Sequence, residues 1–229
     1  MACGRRSLLR WFLPVLSTLL SCLPSPSLAA EARWTIEFFV GIPLNFSAPL
    51  TIRQSGQPDI RIHARYDAKP FERPIYYGWR IGNWRGDNGW ELELVHNKLY
   101  LANAPEEVQV FSISHGFNLL TVNRSRERGG VVERLGAGVV LTHPESTVRG
   151  KRFPEDGGIF NRGYFLSGPT VQASAGKQIR IREDFFAPAE GKLSASFARI
   201  PVADGNADVA NYSLHGVFGL GFGRGGGAE

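Results

Sequence analysis

Residues 90–101 read WELELVHNKLYL. Trp90, Leu92 and Leu94 alternate with Glu91 and Glu93, the period of two that marks a strand with one apolar and one polar face. Beyond Leu94 the pattern shifts phase. Leu99 and Leu101 take over the apolar role, and His96, Lys98 and Tyr100 fall on the polar parity. A β-bulge, or the rise of the strand out of a hydrocarbon layer, produces such a shift.

The same alternation recurs along the chain, with turn residues between the runs. WTIEFFVGI (34–42) sets Trp34, Ile36, Phe38 and Val40 against Thr35, Glu37, Phe39 and Gly41. A long connection follows, in which DIRIHARY (59–66) has the pattern of an extra hairpin. IYYGWRIGNW (75–84), WELELVHNKLYL, a run from about Phe111 to Arg124, and ERLGAGVVLTH (133–143) come next. They are followed by a run from Tyr164 past Gln172, by EGKLSASFARI (190–200) and by NYSLHGVFGLGF (211–222). That makes eight principal strands, up and down, with no long helical periodicity.

One parity is rich in Trp, Tyr, Phe, Leu and Val. The other carries Glu37, Arg80, Glu91, Glu93, Arg134, Gln172, Glu190, Lys192, Ser194 and His215, interleaved with Gly. In a soluble sandwich or lipocalin-like binder the apolar parity would point inward; in a small transmembrane barrel the faces are exchanged. The aromatic strand ends suit a membrane interface. Gly among charges of both signs suits a crowded interior and only weakens a water-exposed strand. The expectation is an all-β, eight-stranded, antiparallel up-and-down transmembrane barrel of the outer-membrane type.

The first thirty residues stand apart. Arg5, Arg6 and Arg10 precede the apolar run WFLPVLSTLLSCL, and SPSLAA supplies small residues for cleavage near Ala30. The reading is a signal peptide over 1–30, a barrel over 31–223 and a Gly-rich tail over 224–229. Lipoprotein processing at Cys22, within Leu-Leu-Ser-Cys, is the alternative. Both Cys lie in this segment, so cleavage near Ala30 leaves no disulfide. Removing its three Arg from the 26 basic residues leaves 23 against 21 acidic ones, a balance that speaks against a nucleic-acid partner. The partners expected are outer-membrane lipids and lipopolysaccharide around a membrane-embedded monomer, in the outer membrane of a Gram-negative cell.

FERPIYYGWRIGNW (71–84), WELELVHNKLYLA (90–102), FSISHGFNLLTVNR (111–124), GAGVVLTHPES (136–146), EGKLSASF (190–197) and NYSLHGVFGLGF (211–222), in that order, resemble the lipid A oxidase-like outer-membrane barrels. The resemblance implies oxidation of the proximal glucosamine of lipid A to an aminogluconate unit, with molecular oxygen as co-substrate. The chain departs from the pattern at His115, where the family has Asp, and at Thr142-His143-Pro144, where it has Pro-His. It also runs on past Phe222. Outer-membrane deacylases instead carry His-x-Ser-Asn. Here His115-Gly116-Phe117-Asn118 has Phe in place of the nucleophile, which disfavours hydrolysis unless another Ser is brought to His115.

With the short turns in the periplasm, His96, Lys98, His115, Asn118, His143 and Glu145 fall at the outer ends of adjacent strands, and His215 at the outer start of the last. His96, Lys98, His115, Asn118 and His143 are the candidate catalytic residues. No flavin or nicotinamide fingerprint is present, so a divalent metal on His96, His143 and Glu145 is the candidate cofactor site. The alternative is a non-enzymatic structural or lipopolysaccharide-binding barrel.

Overall fold

A computed structural model describes residues 32–154 and 156–225. The segment read as a signal peptide and the last residues of the tail lie outside the described residues. Thirteen strands are described: β1 (Ala32–Phe46), β2 (Ala48–Gln54), β3 (Ile60–Ala64), β4 (Tyr66–Asp67), β5 (Tyr77–Arg85), β6 (Asn88–Leu101), β7 (Val108–Arg128), β8 (Val131–Thr142), β9 (Glu145–Val148), β10 (Lys151–Arg152), β11 (Phe165–Arg180), β12 (Phe185–Val202) and β13 (Gly205–Gly225). β1, β5, β6, β7, β8, β11, β12 and β13 pair antiparallel in that order, and β13 closes on β1. The result is the eight-stranded barrel anticipated from the alternation.

The turns between β5 and β6, β7 and β8, and β11 and β12 are short and share one end. By the usual plan of such barrels that end is periplasmic. The strands run longer than their membrane-spanning patterns, β7 and β13 reaching 21 residues each. Their outer ends leave the hydrocarbon and continue as wall, extended by β2 on β13, β4 on β6 and β9 on β7. DIRIHARY is partly the expected hairpin: β3 within it pairs with β2.

In the lower part of the barrel the apolar parity faces out. Trp34, Phe38, Trp90, Leu135, Leu193, Phe218 and Leu220 are each more than half exposed. A closed barrel with this apolar outer band and a charged interior is a transmembrane barrel of the outer-membrane type. Inside, Arg80 lies 2.6 Å from Glu37 and 2.7 Å from Glu93, and donates from Nη2 to Glu190. Arg134 lies 2.6 Å from Glu91 and 2.7 Å from Glu190. Lys192 pairs with Glu93 and stands 3.6 Å from Glu190. Gln172, Gln178, Asn123 and Ser125 donate to the same carboxylates. Three cations are thereby shared among four carboxylates, and each of these groups has an ion-pair or hydrogen-bond partner, as a site walled off from water requires.

Higher up, the interior changes character. Along β12 the inward residues run Glu190, Lys192, Ser194, Ser196, then Ala198, Ile200 and Val202. Along β7 they run Ser125, Asn123, Thr121, then Leu119 and Phe117, with Ile113 and Phe111 beyond. These apolar residues form one buried core with Leu50, Ile52, Ile60, Tyr66, Val95, Leu99, Val140, Val209 and others. Phe39 sits at the join, its ring 5.3 Å from the Arg80 guanidinium and 5.2 Å from Lys192. Gly78 makes room for it, because a Cβ there would lie 2.3 Å from the Phe39 ring.

The outer face exchanges at the same height. Phe197 is followed outward by Arg199, and Tyr212 is preceded by Asp208, which pairs with Arg199 at 2.7 Å. The barrel therefore consists of a lipid-facing half with a polar interior and a water-facing half with an apolar interior.

Replacing Arg134 with Ala leaves Glu91 and Glu190 short of a partner in a sealed interior. A loss of roughly 3–5 kcal/mol in unfolding free energy follows, measurable by denaturant titration of the refolded barrel. Replacing outward-facing Ala137 with Val is expected to change it by well under 1 kcal/mol.

Candidate functional site

β6 keeps its parity through the stretch 90–101. His96, Lys98 and Tyr100 continue the outward row begun by Trp90, Leu92 and Leu94, and Leu99 points into the apolar core, fully buried. The expected bulge exists but lies on the partner strand. Between the pairs Asn97–Phe117 and Leu99–Ile113, β6 advances two residues and β7 advances four. The extra residues of β7 are at Ser114-His115-Gly116, and Gly116 takes φ of +133°, a region that favours glycine. The bulge pushes His115 outward, where its side chain is 57% exposed.

Two polar groups result, both on the outer wall. In the first, His96 Nδ1 lies 2.8 Å from Asn118 Oδ1, and the His96 ring stacks on Tyr77 at 4.9 Å. Asn118 presents a carbonyl oxygen, so Nδ1 must donate and Nε2 carries the lone pair. Nε2 is buried and makes no hydrogen bond among the described residues. Lys98 is tied down rather than presented: it is buried, and Nζ donates to the Glu72 carbonyl at 2.8 Å. It thereby fixes the segment before β5 against the outside of β6.

In the second group, His115 Nδ1 lies 2.6 Å from Glu145 Oε1 and 3.1 Å from Ser114 Oγ, and Ser114 also donates to Glu145. The His143 ring is 5.1 Å from that of His115 and meets Tyr164 edge-on at 5.0 Å. The Tyr164 hydroxyl donates to the His115 carbonyl at 3.2 Å. Burial acts to raise the Glu145 carboxyl, but the hydrogen bonds from Ser114 and His115 and the two neighbouring imidazoles outweigh it. The group is held below the usual carboxylate range.

Five of the residues anticipated from sequence thus fall into these two groups: His96 on β6 with Asn118 on β7, and His115 on β7 with Glu145 on β9 and His143, just past the end of β8. Two expectations change. His215 is not at the rim. β13 begins ten residues before it, which places His215 inside the barrel, with Tyr76 Oη 3.0 Å from Nδ1 and Ser194 Oγ 2.9 Å from Nε2. His96, His143 and Glu145 do not assemble into a metal-binding set: among the described residues no three His, Cys, Asp or Glu side chains are placed to hold an ion. His96 is turned to Asn118 and Tyr77, and Glu145 to Ser114 and His115. Three contributors were not singled out from sequence. Ser114 is signalled only by its place next to His115, Tyr77 reads as a membrane-interface aromatic, and Tyr164 carries no local signal.

No family model and no curated protein matches the chain. Among solved structures it is similar to the outer membrane protein AlkL, determined by solid-state NMR in DMPC bilayers, with TM-score 0.46 and 11% identity over 90% of this chain and 97% of that one. It is also similar to OprG from Pseudomonas aeruginosa, with TM-score 0.43 and 10% identity over 86% of this chain and 97% of that one. For Neisserial surface protein A the values are 0.36 and 11%, over 86% and 99%.

Because the Glu145 carboxyl is depressed, the stability its contacts contribute is present above the ordinary carboxylate range. It is lost only as pH falls through the lowered value. Replacing Ser114 with Ala removes one of the bonds that depress it. Carboxyl titration by isotope-edited NMR should show Glu145 ionising at higher pH in Ser114→Ala than in the parent.

Proposed function

We propose that this barrel modifies lipid A from its outer wall, oxidising the proximal glucosamine to an aminogluconate unit with molecular oxygen. One observation carries the reading. The His96–Asn118 and His115–Glu145 groups lie on the outer side of the wall, beyond the apolar rungs Leu94 and Leu120 of β6 and β7. That is the height at which lipid head groups begin, and a lumen-facing site would not meet them. The specific chemistry rests on the resemblance of six sequence stretches, in order, to lipid A oxidase-like barrels.

In this reading the C1 hydroxyl of the proximal sugar gives up two electrons and two protons to dioxygen, and the lactone formed opens with water. The product is heavier by one oxygen atom. The His115–Glu145 pair accepts the hydroxyl proton, since the ionised carboxylate stabilises the imidazolium that forms. His96, buried and hydrogen-bonded to Asn118, acts by positioning the wall beside that pair. Lys98 acts by positioning the chain around Glu72.

The burial of His96 and Lys98 also fits a barrel that binds lipopolysaccharide without chemistry. Mass spectrometry of lipid A separates the two readings. Cells carrying the protein should show lipid A species heavier by one oxygen, and His115→Ala should reduce them at least tenfold while the barrel still migrates as a folded, heat-modifiable band. Unchanged lipid A beside correctly inserted protein would exclude oxidation and leave the binding reading.

A further inference from the structure

The connection from β4 to β5 is longer than the gap it crosses. β4 pairs with Tyr100 and Leu101 of β6, and β5 begins at Tyr77, beside His96 on the same strand. The two points are about 13 Å apart along β6 at the usual rise. Residues 68–76, extended, would span about twice that distance. The surplus is folded onto the outside of the wall. Lys98, on the outward parity of β6, donates from Nζ to the Glu72 carbonyl at 2.8 Å. Tyr76 closes the segment by donating its backbone N–H to the Pro70 carbonyl at 2.8 Å. Lys69 Nζ lies 3.3 Å from Glu72 Oε2 and 5.0 Å from the Tyr100 ring. Lys98 is therefore buried although it faces out, and the strap over it carries Phe71, 74% exposed, with Ile75 exposed beyond.

The register fixes the height of this strap. From Gly221 on β13 the paired positions run through Glu37 on β1, Arg80 on β5 and Glu93 on β6 and round the wall. They return to β13 at Asn211, ten residues nearer the outer end. Each strand gap thus climbs a little over one residue, which tilts the strands by about 40°, as is usual for such barrels. His96 is in register with Val40 through Tyr77. With the climb included, Lys98 stands level with Leu44 of β1, and Tyr100 with Phe46. Leu44 and Phe46 are exposed, as is Tyr212, the partner of Phe46 on β13. On that side the apolar outer face reaches this height and ends in aromatic residues, as a membrane interface favours. On β6 the same height holds Lys98, with the strap laid over it.

We infer that residues 68–76 are a membrane-contacting strap, whose Phe71 inserts among the upper acyl chains of the outer leaflet, level with Phe46 and Tyr212. The occupant is lipid because the strap continues a surface that lipid already covers. Ile75 leads directly into Tyr77 and Ile81, the exposed outward row of β5. Lys69 and Arg73 flank Phe71, and cations of that kind suit the anionic head groups just above. The strap supplies the apolar surface that β6 gives up beyond Leu94, and Lys98 serves instead to hold it. It meets lipid beside the His115–Glu145 group, since Tyr100 pairs with Ser112 and Ser112 with Glu145. The strap does not depend on the oxidation chemistry.

The test places a bimane label on single Cys variants of the full barrel in phosphatidylcholine bilayers. Quenching is measured with bromine on the acyl chains and, separately, with iodide in the water. Phe71→Cys is compared with Phe46→Cys on the apolar band and with Arg61→Cys on β3, each checked for heat-modifiable migration. Bromolipid should quench the label at 71 to within about twofold of that at 46 and at least fivefold more than that at 61. Iodide should quench 61 most. Iodide quenching at 71 equal to that at 61, without quenching by bromolipid, would place the strap in water and overturn the inference. Quenching at 71 by neither agent would mean that protein, a second copy included, covers Phe71, and would overturn it too. Lipid A whose mass never changes would sink the oxidation reading alone and leave the quenching pattern as stated.

Discussion

A strand that passes from hydrocarbon into water must exchange the character of its two faces, and β6, β7, β12 and β13 of this barrel do so. Below the exchange side chains facing out meet lipid, so they are apolar, and the charges they displace are gathered inside. Above it the outer face meets water and head groups, so polar residues move out and an apolar core fills the interior. The inward run from Glu190 and Lys192 to Ile200 and Val202, and the outward run from Leu193 to Arg199, record the exchange on a single strand. The site follows from it. His96, Asn118 and His143 are polar residues on the outward parity at the first rungs where that parity is no longer constrained to be apolar.

The two interiors stabilise the barrel by different means. The lower one depends on mutual satisfaction. Glu37, Glu91, Glu93 and Glu190 are shared among Arg80, Arg134 and Lys192, and planar guanidinium groups suit the role because each reaches several carboxylates at once. The upper one depends on burial of Leu99, Phe117, Leu119, Ile200 and their neighbours, as in a soluble protein. The connecting segments are part of that core, since β2 and β3 contribute Leu50, Ile52 and Ile60. The outer end is thus a rigid platform, and the bulge at Ser114-His115-Gly116 projects from packed wall rather than from a loose loop.

Much of this was readable from the alternation. Trp34, Phe38 and Trp90 against Glu37, Glu91 and Glu93 identify the two faces, and the interior charges were found where the polar parity placed them. The phase shift after Leu94 was also visible, but its cause was not. Leu99 leaves the apolar parity because the interior itself becomes apolar, and periodicity cannot say which side of a strand is inside. His215 was misplaced because the strand holding it begins at Gly205, six residues before the stretch 211–222 read from sequence, with Ala207 and Val209 turned inward. The pairing of Ser114 and His115 with Glu145 depends on the bulge and on β9 joining β7, contacts between residues about thirty apart that no local pattern encodes.

The exchange of faces can be tested along β7. Among the described residues there is no Cys, so single Cys replacements of Val122, Leu120, Asn118 and Ser112 can each carry a spin label on the outer parity. In bilayers, labels at 122 and 120 should relax with dissolved oxygen, and those at 118 and 112 with a water-soluble nickel chelate, the crossover falling between 120 and 118. Oxygen-dominated relaxation continuing through 118 and 112 would place His96, His115 and Glu145 within the hydrocarbon and contradict the account.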